Sequence, residues 1–339
     1  MREQTRELET LRRDAAAAAS AEPYHRFAAL TGRSPAMLEL KRHLDRLVQV
    51  PWPVLIEGES GAGKELVARE LHRSGPRRRR PFVVENCAAI PEPLLEAELF
   101  GARKGAFTGA IEDRPGLFEV ANGGTLFLDE IAEMSLAMQA KVLRAIDTGE
   151  VRPVGARRSL RFDVRIIAAT NKDLRAEVEA GRFREDLYYR LHVLAVRVPP
   201  LRERRDDIPL LVECFLDRIA RETASARKQL APGVLEVLMA YHWPGNVREL
   251  LHEVQRAAAL ADKEITVRDL SPQVRGGAIE LNPVGPVDAQ SLQLARLEAE
   301  RKVLMAALAQ TGNNRTQAAK LLGISRYGLQ KRLKRCGLK

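Results

Sequence analysis

The sequence predicts an α/β fold: a parallel sheet covered by helices, joined to a helical subdomain and followed by a small all-α domain at the C-terminus. Three observations predict it. From Leu30 to Pro200, five short β-rich runs (PVLIEG, PFVVE, GTLFLDE, VRIIAAT and LAVRVPP) alternate with helical stretches, the pattern of a parallel sheet with helices on its faces. Beyond Pro200 the strands stop and helical runs continue. The last 29 residues, Thr311 to Lys339, hold eight Lys or Arg and no Asp or Glu, yet keep an apolar period.

Taken in order, residues 1–27 are helix-forming. Leu8, Leu11, Ala15 and Ala18 stand at alternating spacings of three and four, either a short coiled-coil seam or a frayed solvated helix. Residues 28–200 are the sheet-forming part. Residues 201–272 carry IPLLVECFLDRIA, PGVLEVLMAYHW and NVRELLHEVQRAAALA, a helical subdomain. In residues 273–291 Gly and Pro recur with little periodicity, the composition of a flexible linker. Residues 292–339 form a last helical module, and no repeat of solenoid period is visible.

Composition narrows the class. A chain of 339 residues that is 45% hydrophobic can bury a sizeable core. No window approaches 18 consecutive apolar residues and the N-terminus is charged, so neither a membrane span nor a signal peptide is indicated, and the expected compartment is the cytoplasm. Cys87, Cys214 and Cys336 are far apart and the six histidines show no ligand spacing with them, which argues against disulfides and zinc. The net charge of +10, concentrated at the C-terminus, points to a polyanionic partner.

VLIEGESGAGKE places Gly58, Gly63 and Lys64 in GxxxxGK spacing between a strand and a helix, the context of a P-loop. Backbone N–H groups of Gly58, Glu59, Ser60, Gly61, Ala62 and Gly63 would turn around the phosphates of ATP, and Lys64 would reach the terminal ones. Glu65 stands where a Ser or Thr usually holds magnesium, so Mg2+ must lean on another carboxylate and on water. GTLFLDE supplies it: Asp129 can hold Mg2+, and Glu130 can orient the attacking water. Asn171, after VRIIAAT, could sense the γ-phosphate or the water. Arg184 and Arg190 in RFREDLYYRL either bridge to Glu185 and Asp186 or act as arginine fingers from a neighbouring subunit. Between Lys104 and Ala110 the chain reads KGAFTGA, a phenylalanine and a threonine among small residues.

From about Leu30 to Ser271 these residues resemble the AAA+ ATPases that activate transcription by the sigma-54 form of bacterial RNA polymerase, the bacterial enhancer-binding proteins. GESGAGKE is similar to the family's Walker A, which characteristically carries Glu at position 65. GTLFLDE resembles Walker B, AATN sensor I, FREDLYYRL the arginine-finger helix and WPGNVREL the sensor II helix. The resemblance implies an AAA+ α/β subdomain, a helical lid and ATP hydrolysis at the interfaces of a homo-oligomer, from dimer to hexameric ring. It also implies a switch role for Asn86, which would hold Glu130, and a nucleotide contact in cis for Arg248. Gly105, Ala106, Phe107, Thr108, Gly109 and Ala110 match the loop that contacts sigma-54. VGARRSL, residues 154–160, is either a second loop moving with the first or a solvated hairpin tip. Members usually carry an N-terminal sensory domain, so the resemblance implies either that one is missing here or that a separate regulatory protein controls the chain.

The segment NNRTQAAKLLGISRYGLQKRLKRCGL reads as a helix over TQAAKLL, a turn at Gly323, Ser325 as N-cap and a second helix from Arg326. Ala318, Ala319 and Leu322 would face Leu329 and Leu333. Arg326, Tyr327, Gln330, Lys331 and Lys334 would lie on the outer face, toward DNA, as helix-turn-helix geometry requires. The segment resembles the Fis-type module. Three functions are compatible with all this: an enhancer-bound ring that remodels sigma-54 RNA polymerase, a DNA-binding regulator whose nucleotide only sets oligomeric state, and a remodelling ATPase acting on another machine. The intact GAFTGA loop and the helix-turn-helix together favour the first.

Overall fold

The computed structural model describes residues 27–106 and 112–276, with Thr311, Asn314, Arg315, Gln317, Ala319, Leu329 and Gln330. The chain divides into two compact units, Met1–Ala278 and Ile279–Lys339.

In the first unit the five predicted runs become β1 (Val54–Glu57), β2 (Phe82–Asn86), β3 (Thr125–Asp129), β6 (Arg165–Thr170) and β7 (Ala195–Arg197). They form one sheet in the order β2-β3-β6-β1-β7, and every adjacent pair is parallel. A helical crossover precedes each later strand. Helix α1 (Pro35–Leu47) comes before β1, α2 (Lys64–Ser74) follows it, and α3 (Glu92–Phe100) and α4 (Leu117–Val120) lead into β3. Helix α5 (Leu136–Thr148) and the hairpin of β4 (Glu150–Val151) and β5 (Leu160–Arg161) lie between β3 and β6. Helices α6 (Leu174–Glu179) and α7 (Glu185–Leu191) precede β7. Local chemistry fixes several ends: Ser34 and Ser135 cap α1 and α5 by accepting from the backbone N–H three residues on, and Gly149 ends α5 in the left-handed region.

The central strands β1, β3 and β6 are buried on both faces, which is why they read as apolar runs, whereas the edge strands β2 and β7 are only partly buried. Strand residues alternate between two apolar layers. Leu55, Leu126, Leu128, Ile166 and Ala168 pack against α3, α5 and α7, whereas Val54, Ile56, Phe127, Ile167 and Ala169 pack against α1 and α2. Each fully buried Leu, Ile or Phe in these layers contributes about 1.5–3 kcal/mol of transfer free energy. The packing holds the C-terminal strand ends, with Asn86 in register with Asp129, along one edge.

After Pro200 come α8 (Ile208–Glu222), α9 (Val234–Ala240), α10 (Asn246–Leu260) and α11 (Pro272–Gly276), closed around a fully buried Trp243 whose indole N–H donates to Leu238 O at 2.7 Å. The expectation that strands stop at Pro200 is corrected: β8 (Gln229–Leu230) and β9 (Glu264–Ile265) pair in parallel. Two residues per strand are too few to show alternation in sequence.

In the second unit Arg315, Gln317 and Ala319 are helical. Asn314 caps them, its side chain accepting from Gln317 N at 3.2 Å, so the helix starts one residue before TQAAKLL. Ala319 and Leu329 are buried and Gln330 is exposed. Arg326, Tyr327, Lys331, Lys334, the Leu8 to Ala18 seam and Phe107, Thr108, Gly109 and Ala110 lie outside the described residues. No described helix is long and apolar enough to cross a membrane.

Candidate functional site

The turn between β1 and α2 wraps over the C-terminal edge of the sheet. Gly61 and Gly63 take φ values of +74° and +107°, and a side chain at Gly63 would meet nothing within 4 Å on its open side. Lys64, at the first position of α2 and buried, sends its ammonium back to Gly58 O at 3.0 Å and to Glu130 Oε1 at 3.3 Å. Before them opens a cleft of about 460 Å³ lined by Ser60, Gly61, Gly63, Lys64, Glu65, Asp129, Glu130 and Arg248. Two separate sequence motifs and the lid meet there.

Gly58, Glu59 and Ala62 do not line this cleft. The Gly58 and Glu59 carbonyls accept from the Lys64 ammonium, Ala62 is buried, and the Glu59 carboxylate turns toward the lid. Glu65 pairs with Arg69 one helical turn on, at 2.6 Å. That leaves Asp129 as the carboxylate placed to receive a divalent cation beside the phosphate loop. Burial, and next the negative charge of Glu130, push its carboxyl above the ordinary aspartate value despite the nearby Lys64 ammonium. A carboxylate so destabilised by its surroundings is suited to a cation, and the donor set of Asp129 with water fits magnesium.

Glu130 follows the strand in a left-handed conformation, φ 52°, with its N–H donating to Asp129 Oδ1 at 3.1 Å. Such a backbone is costly for a glutamate and turns its carboxylate back over the sheet edge. One oxygen meets Lys64 and the other accepts from the backbone N–H of Asn171 at 3.2 Å. Asn171 itself sits one residue past β6 and is exposed. Asn86 stands at the end of β2, where its side-chain oxygen accepts from Ala88 N at 2.9 Å, so the structure does not join it to Glu130.

The two arginines of FREDLYYRL lie elsewhere. Arg184 is the residue before α7 rather than part of the helix; its guanidinium makes a two-pronged contact with Asp186 at 2.7 and 3.0 Å. Arg190 pairs with Asp147 on α5 at 2.8 Å, not with Glu185. Neither lines the cleft of its own chain.

Sequence reasoning missed the strut that joins loop and lid. Asn246, fully buried at φ 53°, accepts from Leu201 N at 2.8 Å while its amide donates to Glu59 Oε2 and Ser60 O, both at 3.1 Å. Arg202 grips Glu59 through two contacts, at 2.6 and 2.7 Å. The first N–H groups of α10, from Val247 and Arg248, donate to Gly61 O, and Arg248 Nη1 donates to Ser60 Oγ at 3.2 Å. Arg218, with Phe215, Val247 and Leu251, forms the lid side of the cleft. The signal for Asn246 was there: Asn after Pro-Gly at a helix start favours a left-handed residue. Arg218 lies three residues after Phe215 on the same helix face.

The family described as the sigma-54 interaction domain matches residues 30–197, the AAA+ ATPase lid domain matches 202–283, and the bacterial regulatory protein, Fis family, matches 296–335. The response regulator protein PilR of Pseudomonas aeruginosa is 50% identical over 310 residues, 91% of this chain and 70% of that protein. The transcriptional regulatory protein ZraR of Escherichia coli K12 is 49% identical over 307 residues, 90% of this chain and 68% of its own. Among solved structures, NtrX from Brucella abortus in complex with ATP superposes with a TM-score of 0.69 at 36% identity, covering 91% of this chain and 70% of that one.

Proposed function

Because this chain belongs to the sigma-54 interaction family, as an AAA+ ATPase and sigma-54-dependent transcriptional activator with a Fis-type DNA-binding domain, we propose that it works as an enhancer-bound homo-oligomeric ring, hexameric when active. The ring hydrolyses ATP and remodels the closed complex of sigma-54 RNA polymerase through the GAFTGA loop. The observation that carries this reading is the convergence of Lys64, Asp129, Glu130 and Arg248 on one cleft in a chain that keeps KGAFTGA intact.

In this reading Lys64 neutralises the terminal phosphates and Glu130 orients and polarises the attacking water. Asp129 would hold magnesium, whose charge would stabilise the negative charge developing on the phosphates. Asn171 senses the γ-phosphate from the neighbouring strand end, and Asn86 takes up the Glu130 carboxylate in one nucleotide state. Arg248 contacts nucleotide in cis, and Arg184 and Arg190, free of their own chain's cleft, reach the neighbouring subunit's nucleotide in trans. Residues 28–200 and 201–272 are then the two ATPase subdomains, 273–291 the tether and 292–339 the DNA-binding domain. Arg326, Tyr327, Gln330, Lys331 and Lys334 face DNA. The compartment is that of the polymerase, the cytoplasm.

The stem of the loop is clamped by one carboxylate. Asp113 accepts from Lys104 N at 2.8 Å and from Arg103 Nη1 at 2.6 Å, clamping the stem just outside Gly105. Phe107→Ala and Thr108→Ala are expected to keep ATP turnover near that of the parent while promoter opening is lost, with Lys64→Ala as the hydrolysis-dead reference. Opening assays on a sigma-54 promoter check this, and full opening by both loop variants refutes the role.

A further inference from the structure

The β4–β5 hairpin rises beside the stem of the GAFTGA loop. Val154, near its crest, bridges to Ala102, with Arg103 N donating to Val154 O at 3.0 Å and Val154 N to Gly101 O at 2.8 Å. Beneath it, between α3 and α5, lies a cavity of about 600 Å³. The helix cations at this cavity are already paired, Lys141 with Glu96 at 2.5 Å and Arg144 with Glu150 at 3.6 Å. The hairpin's own cations are different. Arg152, Arg157, Arg158 and Arg161 are all exposed, and among the described residues no carboxylate forms an ion pair with them. From Val151 to Phe162 the chain contains no Asp or Glu at all.

The apolar residues of the hairpin turn the other way. Val151 and Pro153 are buried, and Phe162 packs against the sheet core. The outward surface therefore offers four guanidinium groups among Gly155, Ala156 and Ser159, without an exposed large hydrophobic side chain. A protein partner would be expected to find an aromatic or aliphatic anchor at the centre of its contact. Nucleic-acid contacts are instead polar and strongly positive, and arginine forks match phosphate oxygens. Small residues at the crest let a backbone approach closely, with Gly155 at φ +76°.

We propose that this hairpin is a second DNA-contacting surface of the chain, gripping phosphates of promoter DNA beside the GAFTGA loop without reading bases. The inference rests on the remodelling function proposed above, since that function brings the loop face of the ring to a promoter. It makes the hairpin a guide that holds DNA while the loop acts, separate from the sequence-reading C-terminal domain.

The full chain is titrated by fluorescence anisotropy against a promoter duplex lacking the enhancer, and against its single strand, over a range of salt. Parent, Arg157→Gln/Arg158→Gln and Arg157→Lys/Arg158→Lys are compared; the C-terminal domain gives all three the same background. The Gln pair is expected to bind more weakly, with a salt slope lower by about 1.8 on duplex or about 1.4 on single strand, from roughly 0.9 or 0.7 per lost phosphate contact. The Lys pair keeps the slope. An unchanged slope in the Gln pair overturns the proposal, as does a Lys pair as defective as the Gln pair, or loss of affinity for isolated sigma-54 with DNA binding intact. Promoter opening by the parent is scored separately: its failure refutes the remodelling function, while the salt slopes still decide the hairpin.

Discussion

Asn246 meets three different backbone or side-chain groups from Leu201, Glu59 and Ser60, and it does so fully buried in a left-handed conformation. Asn246→Ala leaves Leu201 N without its acceptor and puts a Cβ residue with no compensating bond at φ 53°. The expected loss is about 3 kcal/mol, the sum of an unsatisfied buried donor and the left-handed backbone penalty; urea unfolding of the ATPase unit in the full chain measures it. Glu59 adds a pH dependence to the same strut. The Arg202 guanidinium holds its carboxyl below the ordinary glutamate value, so its contribution is present above the unfolded value and is lost as pH falls through the depressed folded value. The melting-temperature difference between the parent and Glu59→Gln should accordingly be constant from neutral to mildly acid pH and shrink only below the usual carboxylate range. At this scale the sequence named Lys64, Asp129, Glu130 and Arg248 because their chemistry is tied to local motifs. It left out Asn246, Arg202 and Arg218 because their roles come from contacts across up to 187 residues of chain.

Elements were legible in proportion to length and to the number of faces they bury. The central strands were found because burial on both faces makes their residues mostly apolar and the edge strands because they are β-branched or aromatic runs, whereas β8 and β9 were invisible at two residues each. The P-loop shows how one element's shape depends on another. A Cβ at Gly61 would lie 2.3 Å from Gly245 O and 3.0 Å from Arg248 Cβ, on top of an unfavourable φ of +74°. Gly61→Ala should therefore push α10 off the loop and lower ATP turnover at least tenfold, since about 1.4 kcal/mol of misplacement suffices for that. Steady-state hydrolysis checks it, with retained folding by circular dichroism; near-parent turnover would show that the loop and lid need not touch. The motif explains why Gly63 is small, but only the packed lid explains Gly61.

At the scale of the whole molecule the arginines decide what must assemble. Arg184 and Arg190 lie away from their own cleft, each engaged with an aspartate, so a role in hydrolysis requires a second copy of the chain. Glu130→Gln and Arg190→Ala should each be inactive alone. Mixed in equal amounts they should regain about a quarter of the parent rate, because a random ring places an intact Glu130 opposite an intact Arg190 at one interface in four. No recovery on mixing would confine Arg190 to its ion pair with Asp147. By itself the sequence determined the α/β order of elements, the phosphate loop, the Asp129–Glu130 strand end and the Fis-type C-terminal module, because each is written in residues that are close along the chain. Only the tertiary structure decided that Glu130 is held by Lys64 and the Asn171 backbone rather than by Asn86, that the lid is strutted to the phosphate loop through Asn246, and that four arginines of the β4–β5 hairpin face outward. Those outcomes depend on which side chains meet when distant segments pack, and local periodicity carries no record of such meetings.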